Sequence, residues 1–163
     1  MKRRTLALLN LWLTKFMSKI YPFVAISVLI AVFTLTASAQ TPEKTVKDLY
    51  TAHKAKNVAS MSKAQLRKYF EQSLADKFWK VAHGEGGIDF DILYNTQDDA
   101  GIKNFQVGKF TGSASSGTVP VTFMNSGRRQ KLDFKMSKQS GTWKIADINY
   151  GKDFALVKTL NEY

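Results

Sequence analysis

The sequence predicts an α+β domain in which three N-terminal helices pack on a curved four-stranded antiparallel sheet, closed by a short C-terminal helix. Three observations carry that prediction. Apolar residues recur at three- and four-residue spacing as far as Val81, and at two-residue spacing from Phe105 onward. Helices come first and strands later, with no β-α-β alternation. Within the last strand the large side chains change parity half-way, which bends a strand and curves its sheet.

The domain starts at Gln40. Thr41-Pro42 reads as an N-cap followed by proline in the first turn. Val46, Leu49, Tyr50 and His53 then mark one helical face, so a helix is expected to about Lys56. Ser62 and Gln65 have the spacing of a capping box. They open a periodic segment through Leu66, Tyr69, Phe70, Leu74, Phe78 and Val81, broken near Ser73 into two helices and stopped by Gly84, Gly86 and Gly87.

Strands are predicted over 105–111, 118–125, 131–137 and 142–150. Short turns at Ser126-Gly127 and Ser140-Gly141 make the pairing antiparallel, and TGSASSG is a looser loop. Leu132, Phe134 and Met136 point inward while Lys131, Asp133 and Lys135 point out. In the fourth strand Trp143 and Ile145 share one parity, and Ile148 and Tyr150 the other. One extra residue near Ala146-Asp147 lets both pairs reach the core, so a β-bulge is expected there. A sheet bent in this way around helices forms a cone with a pocket at its open end. An amphipathic helix over 154–160 ends the chain.

Residues 1–39 stand apart. Lys2, Arg3, Arg4, Lys15 and Lys19 carry its charge with no acidic residue, an apolar run follows from Ile20 to Thr36, and Ala37-Ser38-Ala39 closes it. That order is a secretory signal peptide with cleavage after Ala39; a start at Met17 gives it ordinary proportions. An anchor helix is the alternative, but the apolar run falls slightly short of a membrane span. The chain has no cysteine, which excludes a lipoprotein anchor, disulfides and a thiol nucleophile. The expected location is therefore periplasmic or secreted, with membrane contact only through the leader before its removal. The leader also holds five of the eleven net positive charges, leaving +6 to residues 40–163. An exported domain meets no nucleic acid, so such a charge serves solubility alone or implies an envelope protein or an anionic envelope component as partner.

The motifs also carry a family resemblance. GTWKIADINY, residues 141–150, resembles the closing strand of many proteins with the nuclear-transport-factor-two-like, or cystatin-like, cone fold. VKDLYTAHKA (46–55), DFDILYNTQD (89–98) with IKNF (102–105), and the WKIADINY strand together resemble a bacterial family catalogued as domain of unknown function 3828. Its members are mainly exported envelope proteins. The resemblance covers nearly all of residues 40–163 and implies fold and location; it implies no activity.

Candidate chemistry concentrates in IDFDILYNTQDDAG, residues 88–101. Asp89 and Asp91 alternate around Phe90, so an extended segment turns both carboxylates to one side. With Asp98 and the carbonyls of Asn95 or Gln97 they could cage a hard cation, although no EF-hand spacing is present. Alternatively, the two could share a proton as an acid–base pair. Tyr94, Gln97 and Asp98 are the candidate ligand-binding groups. The structural alternative is that Phe90, Leu93 and Tyr94 plug the sheet while the polar groups bond the loop backbone.

Asp147 and Tyr150, at the expected bulge, are further catalytic candidates; an ion pair from Asp147 to a neighbouring cation is the plainer role. Arg128, Arg129, Lys131, Lys135 and Lys144 form a candidate basic sheet face, for docking on phosphate-bearing lipid or an acidic protein, or as a solvated face that discourages edge aggregation. His53 lies in the apolar stripe of the first helix and reads as packed; His83, before Gly84, reads as a helix stop. No cofactor is implied. The functional expectation is an exported, non-catalytic binding or accessory domain using the cone pocket or the basic face. The alternatives are a small-molecule enzyme or cation-binding protein built on Asp89, Asp91 and Asp147, and a periplasmic immunity protein that binds another protein.

Overall fold

The computed structural model describes residues 40–97 and 101–163, so the expected leader and Asp98 lie outside the described residues. Helix α1, Pro42–Ala55, begins where Thr41 Oγ1 accepts the Lys44 N–H at 3.2 Å. It buries Val46, Leu49 and Tyr50. A 3-10 turn, Val58–Ser60, leads to the single-turn helix α2, Lys63–Leu66, opened by the reciprocal Ser62–Gln65 capping box. Helix α3, Gln72–Ala82, buries Leu74, Ala75 and Phe78.

Six strands follow: β1 Lys103–Val107, β2 Thr111–Gly112, β3 Ser116–Asn125, β4 Arg128–Gln139, β5 Thr142–Gly151 and β6 Phe154–Ala155. The short helix α4, Leu156–Thr159, comes last. The sheet runs in the order β1-β3-β4-β5-β6, with β2 also pairing β3, and every pairing is antiparallel. Both tight turns expected from the sequence are present. Ser126 and Gly127 take φ of 48° and 76°, and Ser140 and Gly141 take 48° and 82°. Two successive positive φ values match the twist of the flanking strands.

The expected three helices on a four-stranded sheet do not hold. The described residues form a six-stranded antiparallel sheet preceded by two helices of substantial length, α1 and α3, with only single helical turns between them. The reasons are local. β2 and β6 are two residues each, too short to register a period of two. The strand expected over 105–111 divides into β1 and β2, and the helix expected over 154–160 opens as β6. The break expected near Ser73 lies earlier, because the chain extends at Phe70 to pair with β5. There the Ile145 N–H donates to the Tyr69 carbonyl at 2.8 Å, and the Glu71 N–H to the Ile145 carbonyl at 3.0 Å.

The bulge falls where parity requires it. Lys135 opposes Asp147 and Met136 opposes Ile145, so Ala146 is the extra residue. Trp143, Ile145 and Ile148 are all buried as a result. They pack with Val119, Val121, Phe123, Leu132, Phe134 and Met136 against the apolar faces of α1 and α3. Phe70, Phe78, Phe123 and Phe134 are each at most 1% exposed, and each such ring contributes about 1.5–3 kcal/mol by burial. In a chain without cysteine, this core carries the stability.

Candidate functional site

The segment 88–97 crosses from the helical layer to the sheet as a tight polar loop. Asp91 organises it. The Asp91 N–H donates to the Thr96 carbonyl at 2.7 Å, the Asn95 N–H donates to the Asp91 carbonyl at 2.7 Å, and Asp91 Oδ1 accepts the Leu93 N–H at 2.8 Å. The last is an Asx turn, the ordinary use of aspartate in a loop. Between these bonds Ile92 and Leu93 point into the core and are 1% and 0% exposed. Leu93 plugs the core as the sequence suggests, joined by Ile92, and Tyr94 packs against it with its ring 5.4 Å from that of Phe123. Phe90 and Tyr94 are half-buried. Phe90 instead joins Tyr150 and Phe154, its ring 6.1 and 6.2 Å from theirs.

Three side chains from distant elements hold the loop. Tyr50 of α1 donates its hydroxyl to the Leu93 carbonyl at 2.6 Å, and Tyr150 of β5 donates to the adjacent Ile92 carbonyl at 3.0 Å. Burial, reinforced by Tyr94, Asp91 and Tyr150, holds the Tyr50 phenol well above its ordinary range. Burial followed by Asp147 and Asp91 does the same for Tyr150. Both therefore stay protonated and serve as donors. The third holder is His53, whose Nε2 lies 2.9 Å from Asp91 Oδ2. Its Nδ1 accepts the Val58 N–H at 3.2 Å. That acceptor role puts the ring proton on Nε2, pointing at the carboxylate. Both nitrogens of His53 are thus engaged within the fold.

Asp89 behaves differently. It is exposed, and its carboxylate meets Gln97 Nε2 and the Tyr163 hydroxyl, each at 3.4 Å. Asp89 and Asp91 consequently turn to different partners, although both border a cavity of about 400 Å³ together with His53, Phe90, Tyr94 and Gln97. Asp98, the third oxygen donor considered from the sequence, lies outside the described residues. Among the described residues no group of three or more His, Asp or Glu side chains is arranged to hold a metal ion.

Asp147 sits at the bulge, and its Oδ1 accepts the N–H of Ile148 at 2.8 Å and of Val157 at 2.9 Å. The carboxylate thereby caps the first turn of α4, whose N-cap residue Ala155 has no side-chain acceptor. His83 follows α3, its ring stacked on Trp79 at 4.6 Å.

The five basic candidates separate. Arg128 and Arg129 are exposed beside the β3–β4 turn. Lys131 pairs with Asp133 at 3.2 Å, and Lys135 donates to Thr118 Oγ1 at 3.2 Å. Lys144 leaves the face altogether: its Nζ donates to the Arg67 and Lys68 carbonyls at 2.7 and 2.9 Å. Burial lowers its pKa there. Asp133 and Asp147 stand among the remaining cations, because Pro120, Asp133 and Asn149 form one cross-strand row and Thr118, Lys135 and Asp147 the next.

A second feature was not singled out from the sequence. Lys47, Thr51 and Lys54 are exposed on α1 at four- and three-residue spacing, so they share a stripe. With Tyr50, Phe105 and Val107 they line a groove of about 350 Å³ between α1 and β1. The available signal was the complement of the apolar stripe, Val46, Leu49, Tyr50 and His53.

No protein-family model matches the chain, and no curated protein matches it in sequence. Two solved structures are similar. One is a chain in the crystal structure of the type VI native effector-immunity complex Tae3-Tai3 from Ralstonia pickettii. It is 19% identical with a TM-score of 0.52, and the alignment covers 71% of this chain and 98% of that one. The likeness is one of fold. The other is a phospholipid-binding protein from Ralstonia solanacearum in complex with a phospholipid, at 17% identity and a TM-score of 0.34, covering 83% and 68% of the two chains.

Proposed function

We propose that this chain is an exported, non-catalytic binding domain whose partner is another protein, in the manner of an immunity protein. The observation that carries the reading is the engagement of the candidate acid–base groups. Asp91 serves His53 and the Leu93 amide, Asp147 serves the Ile148 and Val157 amides, and Tyr150 serves the Ile92 carbonyl. Each holds backbone in place, whereas an acid–base catalyst needs two titratable groups free to meet a substrate. The shared fold with a chain of an effector–immunity complex supports the same reading. The charged leader, apolar run and Ala37-Ser38-Ala39 support export, as does the resemblance to the exported envelope family.

Native mass spectrometry of the chain isolated from its own cell envelope tests the proposal. A stoichiometric adduct with a second polypeptide is expected. A small-molecule adduct, a calcium adduct lost on chelation, or the bare mass would overturn it.

A further inference from the structure

The two edges of the sheet are treated differently. On one side β5 is covered at two places: Phe70 bridges to Ile145, and β6 pairs with Asn149 and Gly151. On the other side β1 ends the sheet, and among the described residues no second strand pairs with it. An edge strand presents alternating N–H and C=O groups that another extended chain can complete.

The open edge is flanked by a particular chemistry. Phe105, 36% exposed, lies on Tyr50 with ring centroids 4.5 Å apart and gives the groove an aromatic floor. Lys47 and Lys54 stand along its α1 wall; no carboxylate among the described residues lies within salt-bridge distance of either, and Lys47 lends part of its charge to Glu43, one turn before it. They are seven residues apart on a helix, about 10 Å, a span matched by roughly three residues of extended chain.

Further along the same side of the sheet the protein places a carboxylate of its own. Glu43 Oε1 accepts the Phe110 N–H at 2.8 Å. Burial raises the Glu43 pKa, but the Phe110 amide, bonds within the first turn and the Lys47 charge outweigh it, and the net shift is downward.

We infer that the groove between α1 and β1 docks an acidic, extended segment of a partner polypeptide, which adds to β1 as a further strand while its carboxylates meet Lys47 and Lys54. The inference rests on the protein-binding reading above and names its surface. A phosphodiester would satisfy the lysines, but it only accepts hydrogen bonds, whereas a strand edge offers donors and acceptors alternating along its length, which an extended polypeptide matches. A second copy of this chain is disfavoured by charge, since residues 40–163 carry +6. The bulge between Lys103 and Gln106 confines regular pairing to the end of β1, so the strand contact is short and the rim charges set orientation and on-rate.

The test is an NMR titration of the envelope-isolated chain with a ten-residue peptide of alternating glutamate and threonine, with an alternating lysine–threonine peptide as control. Binding on the order of 1 mM is expected, weak as befits one short strand without the rest of a partner. Shifts should centre on the amides of residues 105–107 and on Lys47 and Lys54. The Lys47→Glu/Lys54→Glu variant should lose about tenfold in affinity, and Lys131→Glu/Lys135→Glu should leave it unchanged. Shifts centred elsewhere, equal binding of the lysine peptide, or no shifts would overturn the inference. Native mass spectrometry separates the two levels. A polypeptide adduct that survives Lys47→Glu/Lys54→Glu sinks the groove and leaves the protein-binding reading standing. No polypeptide adduct at all sinks that reading itself.

Discussion

Replacing Tyr50 by phenylalanine removes one oxygen and almost no volume. The ring is 2% exposed, and its hydroxyl bonds the Leu93 carbonyl at 2.6 Å across 43 residues of sequence. Leu93 is itself 0% exposed, so its carbonyl has no water to turn to. A net hydrogen bond contributes about 1 kcal/mol, and a buried acceptor left unpaired costs about 1–3 kcal/mol. The expected loss for Tyr50→Phe is therefore about 2 kcal/mol, a fall in Tm of roughly 6–10 °C for a domain of this size. Tyr150→Phe frees the neighbouring Ile92 carbonyl, but Tyr150 is only half-buried and its bond is longer, 3.0 Å. About 1 kcal/mol is expected there. Because both hydroxyls hold one loop, the double variant should depart from additivity. Urea denaturation of the three variants measures all of this. A Tyr50→Phe protein as stable as the parent, or less affected than Tyr150→Phe, would refute the view that 88–97 is a pinned structural crossing.

Four further outcomes follow from the same geometry. Asp91→Ala leaves the Leu93 N–H and His53 Nε2 without their acceptor and should cost about 2–4 kcal/mol in urea denaturation. Asp89→Ala, at an exposed carboxylate with two 3.4 Å contacts, should stay within about 0.5 kcal/mol of the parent. Asp147→Ala uncaps the Val157 amide; a loss of about 1 kcal/mol and faster amide exchange confined to α4 and the bulge are expected. The raised phenols of Tyr50 and Tyr150 keep their protons longer folded than unfolded. Their contribution is intact below the ordinary tyrosine value of 10.0 and is lost as pH climbs from there through the folded values. Thermal melts against pH, with tyrosinate absorbance followed in parallel, should show the tyrosine-linked loss of stability confined to above about pH 10, with two phenols ionising as the chain unfolds.

The parts of this fold visible in the sequence are those whose signal is local and long. α1 announced itself by Thr41-Pro42 and its stripe, α2 by its capping box, β3 to β5 by alternation, and the bulge by the parity of Ile145 against Ile148. Elements of two residues left no periodic trace, and the extension at Phe70 depends on a partner 75 residues away. The same distinction applies to the site. Asp91 and Tyr150 could be picked as polar groups in a revealing segment. Their partners, His53 and the Ile92 carbonyl, are decided by packing between elements that are distant in sequence. Alternation alone placed Asp89 and Asp91 on one side; the Asx turn at Asp91 curls the backbone and separates them.

The paired tyrosines also set a timetable. Tyr50 belongs to the first helix and Tyr150 to the last long strand, yet their hydroxyls seize adjacent carbonyls in the middle of the chain. A polypeptide that emerges N-terminus first has its first three helices and its central loop in hand long before residue 150 is delivered. Until then Ile92 and Leu93 have only one of their two clamps, and β4 lacks the neighbour that buries Phe134 and Met136. The domain locks when its last tenth arrives, so a partly emerged chain stays open and threadable up to the final strand.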